Sequence, residues 1–350
     1  MIEITACGTP YEIGYTHGSE AKPQIASCID FYSGLFVSTA KLEWPAVREL
    51  AQSRFEPNIR KEWPDYHEEM SGIADGAEVE LADIIAINVR TEISFGLFSD
   101  GCTALSWLAS SSPSRSFLAQ NWDWMAGQKP NLILLTIHQQ GPDRAETIRM
   151  VTEAGLIGKI GLNSSGVGVL LNAIKAKGMN PTRLPCHLGL RMVLDSRSRE
   201  EAVQRLERYG IASSCHMLVA DTNGGVGLEW SHLGVEKVHM NANGQVFHTN
   251  HYLVDHKGVE DTNWLPDSNF RRSRIEELCK RLPEPSSPTE DQVFNLFTDE
   301  ANLPGSICRA AATSDSTQTL FNIVMDLKAK TALITQGRPV TPEWQTRAVF

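Results

Sequence analysis

Apolar residues recur at helical spacing through the first hundred positions, and the pattern switches to strand-like runs at Cys102. Pro23–Leu42, Trp44–Phe55 and Trp63–Gly76 are predicted helices, followed by Leu81–Ser94 with Asp83 in its first turn. The loop Phe98-Ser99-Asp100-Gly101 closes this block. Beyond it, Ala104–Leu108 and Phe117–Trp122 flank the turn-rich Ser110-Ser111-Ser112-Pro113-Ser114, which predicts a β-hairpin. Asn131–His138, Thr147–Thr152, Ile157–Leu162 and Val167–Leu171 continue as strands, the last two split by the turn Asn163-Ser164-Ser165-Gly166. Helices are predicted at Cys186–Asp195 and Glu200–Arg208, the second behind the capping pattern Ser198-Arg199-Glu200-Glu201. Strands return at Ser214–Asp221, Val226–Ser231, Val235–Met240 and Val246–Thr249, with Gly224-Gly225-Val226-Gly227 read as a hairpin turn. Asn269–Leu282 and Thr289–Phe297 read as helices, and Thr319–Leu327 and Thr331–Thr335 as the closing strands.

Runs of strands separated by helix pairs, without βαβ alternation, predict an α+β fold with sheets stacked between helical layers. There is no internal repeat. Glu284-Pro285-Ser286-Ser287-Pro288 is the only linker candidate and reads as a loop before a helix, so residues 1–350 are taken as a single domain.

Charge narrows the partners. The net charge of −10 offers no basic footprint for nucleic acid and no polybasic patch for a membrane surface. No stretch approaches the ~20 apolar residues of a membrane span. The start, Met1-Ile2-Glu3-Ile4, lacks the features of a signal peptide, and Ala348-Val349-Phe350 is not a peroxisomal tripeptide. The seven cysteines are odd in number and scattered, with no Cys-x-x-Cys. That argues against a disulfide framework or zinc site and for a reducing compartment, so a cytoplasmic location is expected. His248 and His251 make a poor zinc motif, and no metal or bound cofactor is expected. Arg271-Arg272-Ser273-Arg274 reads as one solvated helix face or as an anion contact.

The candidate chemistry begins at Gly101-Cys102. Taken alone, a Gly-Cys pair is more often a turn followed by a buried thiol. Were the bond between them cut, Cys102 would carry both a thiol and a free α-amine. An α-amine titrates at about 8, so one residue would supply nucleophile and general base. Acyl transfer also needs donors for an oxyanion. Asn250, in Phe247-His248-Thr249-Asn250-His251, could donate through its amide or simply be a turn residue at a strand end. Asp123, between Trp122 and Trp124, could hold a cationic amine or be a solvated hairpin end. Arg309 could fork onto a carboxylate or be a surface arginine. Asn172 breaks an apolar run and must find partners, structural or catalytic.

Several segments resemble the isopenicillin N acyltransferase family, acyl-coenzyme A:6-aminopenicillanic acid acyltransferases. They include Gly8-Thr9-Pro10-Tyr11-Glu12, Asn88-Val89-Arg90-Thr91-Glu92, Asp100-Gly101-Cys102-Thr103, Gln120-Asn121-Trp122-Asp123, Thr152-Glu153-Ala154-Gly155-Leu156, His248-Thr249-Asn250-His251, Ser306-Ile307-Cys308-Arg309 and Thr319-Leu320-Phe321-Asn322. They follow the same order along nearly the whole chain. The resemblance implies the αββα sandwich of N-terminal nucleophile hydrolases, made as an inactive precursor. It implies self-cleavage at Gly101–Cys102 into 1–101 and 102–350, which stay together as a heterodimer. Cys102 would be the nucleophile, Asn250 the oxyanion donor with a backbone N–H near Asn172 or Ala173, Asp123 the holder of the new amine and Arg309 the organiser of the site. Ser214 and Ser306 match serines at or near that site. The implied substrates are isopenicillin N or 6-aminopenicillanic acid types, with acyl-CoA as co-substrate. The chain departs from the pattern at Ala104, where the family has threonine, and at Gly305, where it has a bulky aromatic residue. The departures leave open an enzyme for another acyl amide, or an uncleaved and inactive relative.

Overall fold

The computed structural model describes every residue except 95–100, 111–113, 142–143, 261–263, 284–285, 312, 314–315 and 350. The centre of the Ser110–Ser114 turn, most of the Phe98–Gly101 loop and the start of the Glu284–Pro288 loop lie outside the described residues. The helices are α1 (Pro10–Glu20), α2 (Lys22–Ala40), α3 (Trp44–Leu50), α4 (Glu56–Glu62), α5 (Pro64–Ala77), α6 (Leu81–Asn88), α7 (Arg90–Ile93), α8 (Cys186–Asp195), α9 (Arg199–Tyr209), α10 (Asp267–Lys280) and α11 (Glu290–Leu296). The strands are β1 (Ile2–Gly8), β2 (Gly101–Leu108), β3 (Ser116–Met125), β4 (Leu132–Gln139), β5 (Thr147–Glu153), β6 (Ile160–Asn163), β7 (Gly168–Ala173), β8 (Cys215–Asp221), β9 (Gly224–Trp230), β10 (Val235–Val238), β11 (Gln245–His248), β12 (Thr317–Asp326), β13 (Thr331–Gln336) and β14 (Trp344–Val349).

One sheet has eight strands in the order β1-β4-β5-β6-β7-β8-β9-β10, and the other has six in the order β11-β2-β3-β12-β13-β14. Apolar residues of both sheets and of α1, α2, α5, α6 and α8 share one core. The outer face of the six-stranded sheet packs Leu105, Trp107, Phe117 and Ala119 against Ile275 and Cys279 of α10 and Val293 and Leu296 of α11. Helices, sheet, sheet and helices therefore stack in that order, the expected αββα arrangement.

Local chemistry sets the boundaries. Ser198 caps α9 by accepting from Glu201 N, and Thr9 and Glu12 form a reciprocal capping box on α1. Glycines let α1 and α5 touch backbone to backbone: a Cβ on Gly14 would lie 2.0 Å from Glu69 O, and one on Gly72 2.1 Å from Tyr11 O. The Gly224–Gly227 run is not a turn. It forms the start of β9, where a Cβ on Gly225 would lie 2.3 Å from Ser106 Oγ on the facing sheet. β1 and β14 went unpredicted because each is a sheet-edge strand with many exposed positions and no buried run to mark it. β1 pairs in parallel with β4, Ile2 opposite Ile133, so the helical N-terminal block also contributes a strand. Among the described residues no helix is long and apolar enough to cross a membrane.

Candidate active site

The hairpin of β2 and β3 carries the site. Strand alternation sends Cys102 and Ala104 into the core between the sheets, while Leu105 and Trp107 face α10 and α11. The register places Cys102 opposite Trp122 and Gly101 opposite Asp123. Trp122 and Trp124 thus share the inner face with Cys102, and Asp123 lies on the outer face beside Gly101. Gly101 eases that approach: a Cβ there would sit 3.0 Å from Asp123 Oδ2 and 3.1 Å from Arg309 Nε, so both side chains would have to give way slightly.

Asp123 is not a solvated hairpin end. It is fully buried within β3. A bulge at Leu320 shifts β12 so that Thr319 stands opposite Asp123 while Phe321 stands opposite Trp122. The Thr319 hydroxyl donates to Asp123 Oδ1 at 2.7 Å, and Arg309 Nε lies 3.5 Å from Asp123 Oδ2. Burial pushes the Asp123 carboxyl up to about 6 against the opposing pull of Arg309, Arg271 and the Thr319 hydrogen bond. Arg309 is 7% exposed and donates through Nη2 to Asp267, so it is no surface arginine.

Both backbone polar groups of Cys102 are tied down. Its N–H donates to Asn250 Oδ1 at 2.9 Å, and its carbonyl accepts from Arg271 Nη1 at 2.6 Å. Arg271 also donates to Thr103 Oγ1 at 3.2 Å, to Asn250 Oδ1 at 2.9 Å and to Asp267 Oδ1 at 3.2 Å. The solvated-face reading therefore fails for Arg271, whose guanidinium is wholly buried. Ser268, Arg271, Ile275 and Cys279 form the inward stripe of α10, whereas Arg272 and Arg274 turn outward to Glu276 and to Asp299. Arg271, Asp267, Ser268 and Thr319 were absent from the sequence-derived set. The Asp267/Arg271 spacing of one helical turn was the available signal.

Asn250 follows β11 and is held on three sides. Besides Cys102 and Arg271, its backbone N–H donates to Ser268 Oγ at 2.7 Å and its Nδ2 donates to Ala173 O at 3.0 Å. Asn172 points elsewhere: Nδ2 donates to His248 O at 3.4 Å and Oδ1 meets His216 Nδ1 at 3.0 Å. The His216 and His248 rings stack at 3.5 Å, and His248 Nε2 reaches Glu229 Oε1 at 2.8 Å. Asn172 thus braces the strand end from which Asn250 extends.

A pocket of about 740 Å³, open solvent included, lies beside this hairpin. Trp122, Trp124, Ala173 and Ser214 are on its wall. Ser306 is not; its hydroxyl donates to Cys308 O at 2.7 Å. Gly305 is also off the wall and serves another purpose: a Cβ there would fall 2.3 Å from Asp267 Oδ2, so the missing side chain makes room for the carboxylate that binds Arg271 and Arg309. Ala104 shares the Cys102 face, whereas Thr103 places its hydroxyl on the other side, at Arg271. Among the described residues no group of three or more His, Cys, Asp or Glu side chains is placed to hold a metal ion.

Residues 110–341 match the family model described as acyl-coenzyme A:6-aminopenicillanic acid acyl-transferase. The chain belongs to that family. It is 41% identical over 348 residues to the acyl-coenzyme A:6-aminopenicillanic-acid-acyltransferase 40 kDa form of Emericella nidulans, covering 98% of this chain and 94% of that one. Among solved structures, penicillin V acylase from Agrobacterium tumefaciens aligns with 71% of this chain and 86% of its own at 14% identity and a TM-score of 0.46. A mutant of conjugated bile acid hydrolase from Clostridium perfringens aligns over 71% and 92% at 13% identity and a TM-score of 0.48.

Proposed function

We propose that this protein is a self-cleaving cysteine acyltransferase that exchanges the acyl group of a 6-aminopenicillanic acid amide with that of an acyl-coenzyme A. The observation that carries the reading is the fixed backbone of Cys102, held at its N–H by Asn250 and at its carbonyl by Arg271. Such fixation supports a reaction in which a nearby bond must be attacked along one direction.

In the first stage the Cys102 sulfur attacks the carbonyl carbon of Gly101. The C–S bond forms as the Gly101–Cys102 C–N bond breaks, and the nitrogen takes up a proton to become the α-amine. Water then hydrolyses the thioester, giving a Gly101 carboxylate and restoring the thiol. The fragments 1–101 and 102–350 remain together. In the second stage the amine accepts the thiol proton and the sulfur attacks the substrate acyl carbonyl. The departing amine or coenzyme A thiolate leaves with a proton. The acyl-enzyme passes its acyl group to an acceptor amine, or to water.

The family membership and the relative's name support the substrate classes. The buried Asp123–Arg309–Asp267 chain beside Gly101 supports a role in holding the new ammonium, since ionised Asp123 would pair with it. The Asn250 amide is the candidate oxyanion donor once its Nδ2 is released from Ala173.

Denaturing electrophoresis with N-terminal sequencing tests the first stage, and incubation with isopenicillin N and phenylacetyl-coenzyme A tests the second. Two bands, one beginning at Cys102, and a benzylpenicillin mass are expected. Cys102→Ala is expected to stay one chain and to turn nothing over. A wild-type chain that stays intact would support the inactive-relative reading, which Ala104 favours. A matured enzyme that leaves isopenicillin N untouched but cleaves other acyl amides would reassign the substrate.

A further inference from the structure

A second cavity, of about 640 Å³ with open solvent included, lies where the junction of α4 and α5 meets the later turns of α8 and α9. It shares no wall residue with the pocket beside the hairpin. Helix α8 runs between the two, with Cys186 and His187 on the first wall and Met192 on the second. Part of the second wall is aromatic. Trp63, Tyr66 and Tyr209 line it, and the Trp63 and Tyr209 rings meet edge to face at 5.4 Å. The Trp63 indole N–H is buried without an acceptor, although a buried indole N–H ordinarily finds one. Three arginines share the wall: Arg144, Arg205 and Arg208.

The acidic groups nearby are already engaged. Asp65 pairs with Arg144, and Glu62 with Lys61 at 2.7 Å. Asp195 accepts from the Tyr66 hydroxyl at 2.7 Å, from Gln139 Nε2 at 3.0 Å and from Arg191 Nε at 3.1 Å. On α9 itself Glu201 turns to Arg197 at 3.7 Å and Glu207 to Lys237 at 2.7 Å. Arg205 is left with the neutral Ser196 Oγ at 3.3 Å, and Arg208 with the Tyr209 ring at 5.4 Å. Neither forms an ion pair among the described residues.

The chain has 42 acidic residues against 32 Lys and Arg, so carboxylates are not in short supply. Arg205 and Arg208 are three apart on one helix, which makes them surface neighbours and sets like charges side by side at a cost. An anion between them removes that cost, and guanidinium donors match phosphate oxygens in a fork. The indole and phenol rings on the same wall suit a planar partner. The space is of the size that small-molecule sites take, about 300–1,000 Å³.

We propose that this cavity binds a nucleoside phosphate, with the phosphate on Arg205 and Arg208 and the base against Trp63 and Tyr209. The site stands independently of the acyl-transfer reading.

Calorimetric titration of the full-length protein with adenosine 5′-monophosphate tests it. A Kd of about 1 mM or tighter is expected at low salt, weakening as salt is raised. Adenosine and inorganic phosphate each carry one half of the recognised chemistry and should bind about ten-fold more weakly or worse. The double variant Arg205→Gln/Arg208→Gln should melt at the wild-type temperature and weaken the nucleotide about 10- to 100-fold. Coenzyme A is titrated against both proteins to separate two sources of the same chemistry. A loss in the double variant would seat the nucleotide end of a co-substrate here, and no loss would leave the cavity to a free nucleotide. No binding of adenosine 5′-monophosphate, an unchanged Kd in the double variant, or inorganic phosphate bound as tightly as the nucleotide would overturn the proposal. If the double variant does not fold, Arg208→Gln, at an exposed position, takes its place and should cost about ten-fold.

Discussion

Arg271→Met removes the guanidinium that four groups share: Cys102 O, Thr103 Oγ1, Asn250 Oδ1 and Asp267 Oδ1. Each of these acceptors lies in a buried residue or a half-buried carboxylate, so water cannot readily replace the lost donors. A buried acceptor left short costs about 1–3 kcal/mol, and breaking a buried ion pair by removing one partner costs about 3–5 kcal/mol. These losses overlap, because one side chain supplies all the bonds, and a total of about 3–5 kcal/mol follows. Urea unfolding of Arg271→Met in a Cys102→Ala background reads this loss without interference from chain scission. Arg271→Lys keeps the charge but not the fork, and should lose about half as much. With Cys102 intact, Arg271→Lys should also slow self-cleavage about ten-fold or more, since the Cys102 carbonyl and the Asn250 amide both lose their common anchor. A loss below about 1 kcal/mol for the methionine variant, together with unchanged cleavage, would refute the reasoning.

Asn250→Ala should mature slowly and lose roughly 100-fold or more in turnover, measured on matured protein, if its amide is the oxyanion donor. The Asp123 carboxyl binds its proton more tightly folded, at about 6, than its ordinary 3.8, so folding stability should fall as pH rises through that interval. Asp123→Asn in the Cys102→Ala background should remove about 3 kcal/mol of that fall, read as a difference between urea unfolding curves collected from pH 4 to 7. Equal slopes for the two proteins would mean that Asp123 is ionised throughout.

Much of the fold can be read from apolar runs, because burial on both faces writes itself into consecutive residues. Cys186–Asp195 is the predicted helix residue for residue, and β4, β5, β8 and β12 lie within two residues of their predicted ends. Edge strands such as β14 are exposed on alternate positions and carry no such run. The site was legible only in part. Cys102, Asp123, Asn250 and Arg309 do converge, and each drew notice as a residue type that acyl transfer needs. Arg271 did not, because three arginines in four positions resemble a wet surface, and only the placement of Ile275 and Cys279 beneath α10 decides which of them turns inward. Thr319 reaches Asp123 through a bulge, and a one-residue slip between strands leaves no mark in either strand alone. Asn172 was rightly expected to need partners, yet they are two histidines, one on the adjacent strand β8 and one on β11 of the facing sheet, at separations that spacing rules do not cover.

The edge strand β1 and the helices α1, α2, α5 and α6 all precede Gly101, yet they fill the same interior as the strands that follow it. A break at that point would leave no severable module. The nicked protein would sediment as one particle, and neither fragment alone would have a place to bury its apolar surface. Its refolding, first order in the intact chain, would become a second-order encounter. Recovery from denaturant would then fall on dilution, so the mature molecule would be assembled only once and kept by the slowness of its undoing.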